Sequence, residues 1–113
     1  MWILKTANDA TDPVTFRILP GNIKTIGRSS GAEFMVDAAL VSRLHCRLSA
    51  GATELQVDDL DSTNGTFLRR ARIVAPEPLA DGDLITIGPV ELRFRAWTAD
   101  KPAKTERIRR RSR

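Results

Sequence analysis

The chain holds one cysteine, one histidine and no tyrosine, only 5% of it is aromatic, and no apolar stretch approaches the roughly 18 to 20 residues that a membrane-spanning helix needs. Cys46 has no partner for an internal disulfide, and together with His45 it supplies too few nitrogen and sulfur ligands for a zinc site. Alternation along a strand sets Cys46 on the same face as Leu48, so a packed small hydrophobe is expected rather than a reactive thiol. Asp58, Asp59 and Asp61 lack the spacing of a calcium loop. Neither a metal nor a cofactor is expected. Met1-Trp2-Ile3-Leu4-Lys5-Thr6 turns polar too soon for a signal peptide, which leads to the expectation of a soluble, cytoplasmic protein with no membrane partner. No window repeats apolar residues every three to four positions, so helix is limited to a short turn at residues 38–40.

What is present suffices for one domain. A chain of 113 residues, 42% of them apolar, can bury a single core without disulfides or metal. Short β-rich runs occur at residues 2–5, 14–19, 24–26, 34–36, 45–49, 54–58, 66–68, 72–74, 84–87 and 90–94. Turn formers such as Pro20-Gly21-Asn22, Asn64-Gly65, Asp81-Gly82-Asp83 and Gly88-Pro89 separate them. Leu55, Val57 and Leu60 share one face, as do Val90, Leu92 and Phe94, with Glu54, Gln56, Glu91, Arg93 and Arg95 opposite. This rhythm predicts an all-β sandwich of about ten or eleven short, mostly antiparallel strands.

The net charge of +4 conceals two regions. Residues 101–113 carry seven Lys or Arg against one Glu, a net of +6, whereas residues 1–100 carry eleven basic and thirteen acidic residues, a net of −2. The expected layout is a folded domain over residues 1–97 and a basic, disordered tail over residues 98–113. The chain is read as either a small stand-alone adaptor or the first piece of a longer one.

Three polar segments stand at strand ends: Gly27-Arg28-Ser29, Ser42-Arg43-Leu44-His45 and Ser62-Thr63-Asn64-Gly65-Thr66. Arg28 offers a rigid fork of donors suited to phosphate, Ser42 and Thr63 offer hydroxyls, and Asn64 offers an amide donor and a carbonyl acceptor. The glycines allow close backbone approach. The set suits holding an anion and a neighbouring peptide backbone, and no catalytic residue is assigned. Ser42 three residues before His45 invites a hydrolase reading, but no nucleophile-elbow sequence surrounds the serine.

In order and spacing, and with Asp81-Gly82-Asp83-x-Ile85-x-Ile87-Gly88 following, these segments resemble the forkhead-associated (FHA) domain over residues 1 to about 97. The resemblance implies an FHA-like sandwich with its binding loops at one end. It further implies a phosphothreonine-dependent peptide-binding module, a signalling adaptor whose partner is a phosphothreonine protein or peptide marked by a serine/threonine kinase. By that resemblance Arg28 and Ser42 contact the phosphate, Thr63 adds a further phosphate contact, and Asn64 bonds the peptide main chain. Arg43 is an extra cation or backbone contact, while Gly27, His45 and Gly65 support the loops. Selectivity three residues C-terminal to the phosphothreonine falls by position to Leu40, Val41 and Gly88-Pro89, whose apolar character suggests an aliphatic preference.

Plainer readings stand beside these. Arg28 can be a surface arginine paired with an acidic loop, Ser42 and Thr63 can satisfy their own loop backbones, and Asn64-Gly65 is a tight-turn signature. Where the family often has Asn-Gly after the strand at residues 66–68, this chain has Arg69-Arg70, either a solvated turn or a wider basic surface. The alternative functions are nucleic-acid or acidic-surface binding through the tail, phosphate-independent protein interaction through the fold, and capture of a phosphorylated Thr105 by the protein's own site.

Overall fold

A computed structural model describes residues 1–96, and the expected disordered tail at residues 98–113 lies outside them. Eleven strands and no helix make up the described residues: β1 (Trp2–Thr6), β2 (Thr15–Ile18), β3 (Ile23–Gly27), β4 (Phe34–Met35), β5 (Cys46–Ala50), β6 (Leu55–Asp59), β7 (Thr66–Leu68), β8 (Ala71–Arg72), β9 (Glu77–Leu79), β10 (Leu84–Ile87) and β11 (Val90–Ala96). They form a six-stranded sheet ordered β2-β1-β11-β10-β7-β8 and a five-stranded sheet ordered β4-β3-β5-β6-β9. Every pairing is antiparallel except β3 with β4. The all-β sandwich read from the turn rhythm is therefore the fold.

Alternation fixes which residues fill the space between the sheets. Leu4, Leu92, Ile85 and Ile87 on one sheet and Ile26, Leu48, Leu55 and Val57 on the other are fully buried. Each such side chain contributes about 1.5–3 kcal/mol of burial. The open side between β2 and β4 is closed by Phe16 and Phe34, whose rings stack with centroids 4.5 Å apart and an interplanar angle of 7°. Cys46 is fully buried within this core. Burial pushes its thiol up to about 12, and the nearby charge of Asp59 adds to the rise, so the sulfur stays protonated at neutral pH and packs as a hydrophobe.

Two strand readings change. β9 was not visible in the sequence because Pro78 sits at its centre. As the outer strand of its sheet, β9 pairs only with β6 and tolerates the missing donor. The expected strand at residues 72–74 shrinks to Ala71–Arg72, and Val74 is 95% exposed. Leu60 is half-buried, not fully inside with Leu55 and Val57. In place of a helical turn at residues 38–40, Ala39 and Leu40 make a simple turn.

Arg69 and Arg70 form the two-residue connection between β7 and β8, with φ of 50° and 70°. Two positive φ values in a row mark a hairpin turn that favours Asn-Gly, so the arginines occupy a backbone shape that suits them poorly. Arg69 is held by an ion pair to buried Asp83 at 2.6 Å, whereas no described residue pairs with Arg70. Replacing Arg70 with glycine should therefore raise stability in urea unfolding by about 1 kcal/mol. Replacing Arg69 should bring no such gain, because the Asp83 contact is lost. The solvated-turn reading of the pair is the one that fits this geometry.

Candidate functional site

Three loops meet at one end of the sandwich: residues 28–33 after β3, residues 36–45 before β5, and residues 60–65 between β6 and β7. Gly27 lets the first two touch. A Cβ at this position would overlap the carbonyl oxygen of Arg43 and lie 2.7 Å from its carbonyl carbon, so only glycine allows β3 to end against that backbone. The approach is sealed by Arg28 N donating to Ser42 O at 2.9 Å and Ser29 N donating to Arg43 O at 3.1 Å.

His45 joins the second loop to the third. It is fully buried; the backbone N–H of Ser42 donates to its Nδ1 at 3.0 Å, and its Nε2 lies 2.8 Å from Gly65 O. An amide N–H can only donate, so Nδ1 is the acceptor and Nε2 carries the hydrogen that Gly65 O receives. The imidazole is thus a strut between loops. Ser42 Oγ is turned away from it and accepts the N–H of Thr63 at 3.0 Å, so Ser42 and His45 are not joined as nucleophile and base.

The third loop is organised by a residue that sequence reasoning considered only as a calcium ligand. Asp59, at the end of β6, accepts the Ser62 hydroxyl at 2.5 Å, the Ser62 N–H at 3.1 Å and the Thr66 hydroxyl at 2.7 Å. Ser62 Oγ in turn accepts the N–H of Gly65 at 2.9 Å. Burial pushes the Asp59 carboxyl up, but the hydrogen bonds from Ser62 and Thr66 outweigh it and hold the group below its ordinary range. The signal was available: an aspartate three residues before a serine at a strand end is a common turn-closing pair. Gly65 carries a φ of +88°, and a Cβ there would come within 2.7 Å of the Arg72 side chain.

Arg28, Ser42, Arg43 and Thr63 line one open cavity of about 620 Å³, together with Ser29, Gly31, Leu44 and Asp61. Arg28 Nε donates to Val41 O at 3.1 Å, which orients the guanidinium and leaves its terminal nitrogens for an anion. Ser42 Oγ keeps its own hydrogen to donate. Asn64 is exposed beside the cavity and donates from Nδ2 to Leu40 O at 2.9 Å, leaving Oδ1 and the second amide hydrogen for an incoming main chain. Of the candidate selectivity residues, Leu40 is 63% exposed and lies against Gly88, whereas Val41 is buried in the core. Arg69 and Arg70 do not line the cavity.

Comparison with known proteins places this geometry. The model of the FHA domain matches residues 24–88. The chain is 39% identical over 83 residues to the ABC transporter ATP-binding/permease protein Rv1747 of Mycobacterium tuberculosis, covering 72% of this chain and 9% of that one. Among solved structures, it is similar to the FhaA FHA domain complexed with the intracellular domain of Rv3910, with a TM-score of 0.75 and 30% identity over 84% of this chain and 100% of that one. It is also similar to Mycobacterium tuberculosis EmbR in complex with a low affinity phosphopeptide, with a TM-score of 0.72 and 28% identity over 83% of this chain and 24% of that one. The chain spans about half or less of the length of the curated relatives it matches.

Proposed function

Because the chain belongs to the FHA-domain family, whose domains are binding modules, we propose that it binds phosphothreonine in a partner protein and acts as an adaptor downstream of a serine/threonine kinase. The observation that carries this reading is the convergence of Arg28, Ser42, Arg43 and Thr63 on one open cavity, with Asn64 at its edge. A phosphothreonine brings about −1.5 to −2 charges and three acceptor oxygens at neutral pH. The cavity answers with two guanidinium groups and two hydroxyls, and Asn64 offers a donor and an acceptor to the adjacent peptide bond. Phosphopeptide-bearing EmbR and partner-bound FhaA support the same use of the fold.

Residues 1–97 are taken as the binding domain, with the matched stretch inside them, and residues 98–113 as an appended basic segment. Cytoplasmic action follows from the kinase dependence; no helix among the described residues is long and apolar enough to cross a membrane.

Charge-assisted hydrogen bonds contribute about 1.5–3 kcal/mol each, so two or three to phosphate plus the Asn64 contacts support a dissociation constant on the order of micromolar. Titration with a phosphothreonine peptide library, alongside phosphoserine and unphosphorylated versions, tests the reading. Selective binding of the phosphothreonine set is expected. Equal affinity for plain peptides would move the function to the basic segment or to another face.

A further inference from the structure

The cavity that suits a phosphate also contains a carboxylate. Asp61, with a φ of 55°, lines the same wall as Arg28, Arg43 and Thr63, is exposed, and makes no ion pair with any described residue. A lone carboxylate beside a bound phosphate repels it, whereas a ligand with a cation close to its phosphothreonine turns that repulsion into an ion pair.

An apolar group waits at the rim. Leu40, 63% exposed, is fixed with a φ of 71°, a conformation disfavoured for leucine, by the Asn64 bond to its carbonyl and by contact with Gly88. An extended ligand advances about 3.3 Å per residue, so one gripped by Asn64 passes over Leu40 two or three residues from its phosphothreonine. The ligand that fits has a cation beside the phosphothreonine and an aliphatic residue about three positions along.

The chain carries that ligand itself. In Lys104-Thr105-Glu106-Arg107-Ile108, cations stand one residue before and two after the threonine, and Ile108 stands three after. Thr98, followed by Ala99-Asp100-Lys101, lacks the aliphatic residue. We infer that Thr105, once phosphorylated, is bound by the phosphothreonine site of a second copy of this chain. The inference rests on the phosphothreonine reading above. A serine/threonine kinase supplies the mark by transferring the γ-phosphoryl group of ATP to the Thr105 hydroxyl oxygen, releasing ADP and the hydroxyl proton.

A second copy is favoured over the same copy by reach. β11 starts at Val90, two residues after the Gly88 that touches Leu40, and ends at Ala96 opposite Trp2, about 20 Å further along the sheet. Nine residues separate Ala96 from Thr105 and span at most roughly 30 Å. Retracing β11 and then crossing to the cavity would use nearly all of that span, whereas a neighbouring copy is reached without stretching. Such head-to-tail contacts need not close, so they add further copies.

Sedimentation equilibrium of the full chain phosphorylated at Thr105, from micromolar to submillimolar concentration, tests this. Concentration-dependent association is expected, reversed by phosphatase and absent in R28A. In parallel, the unphosphorylated full chain is titrated with a phosphopeptide of residues 98–113. It should bind about tenfold more tightly than the same peptide with Arg107 and Ile108 replaced by alanine, and D61N should narrow that gap. A phosphorylated chain that stays monomeric at every concentration overturns the inference, capture within one copy included. So does a peptide that binds no better than its alanine version. If other phosphothreonine peptides bind normally, only this inference falls; if none binds, the phosphothreonine reading falls and takes the inference with it.

Discussion

Replacing Arg28 with alanine should weaken phosphothreonine-peptide binding by about 2 kcal/mol or more, roughly thirtyfold, while the domain stays folded. Arg28 is an exposed loop residue that lines the cavity, and its one internal bond, from Nε to Val41 O, is at the surface, where water replaces it at little cost. The loss in binding is larger because a guanidinium forms paired, charge-assisted bonds to phosphate that water cannot reproduce within the cavity. Lysine at the same position keeps the charge but not the fork, so Arg28→Lys should fall between wild type and alanine. Isothermal titration with one phosphothreonine peptide, with urea unfolding of each variant as the control for folding, measures both effects. Affinity unchanged in Arg28→Ala would remove this arginine from the site. Asn64→Ala is expected to cost about 1.5 kcal/mol or more, through the peptide contacts and through the released Leu40 carbonyl.

Most of the fold was legible because its signals are local. Alternation in Leu55–Asp59 and Val90–Ala96 and the turn residues between strands depend only on neighbours in sequence. β9 was not legible, since its three residues contain a proline and form a strand only because β6 offers a free edge. The site divides the same way. Arg28, Ser42, Arg43, Thr63 and Asn64 stand in segments whose chemistry can be named from residue types, and folding brings all five to one end of the sandwich. Their supports are set by tertiary contacts. That Val41 would be buried while Leu40 is exposed follows from a positive φ at Leu40, which residue type argues against. Asp59 looked like one of several surface carboxylates, and only the return of the chain at Ser62 and Thr66 reveals what it holds.

The largest change in stability should come from Asp59. Its carboxylate accepts two hydrogen bonds from Ser62 and one from Thr66, and both partners are buried, so Asp59→Ala leaves two hydroxyls and an amide without an acceptor. A loss of about 3 kcal/mol is expected in urea unfolding at neutral pH, allowing for water reaching part of the opened space. Asp59→Asn should lose most of the same amount, because the side-chain amide turns a donor toward the Ser62 hydroxyl or amide. The pH dependence distinguishes this contribution from a mere packing defect. The folded-state value of Asp59 is depressed, so the stability it gives is fully present above its unfolded value of about 4 and is lost as pH falls through the lower folded value. Wild type and Asp59→Asn should therefore converge in stability below about pH 4. Phosphopeptide affinity should instead weaken from about pH 6 downward, where the phosphate takes up its second proton. A gap between the two proteins that persists unchanged into acid would mean that shape, and not the charge of Asp59, holds the third loop in place.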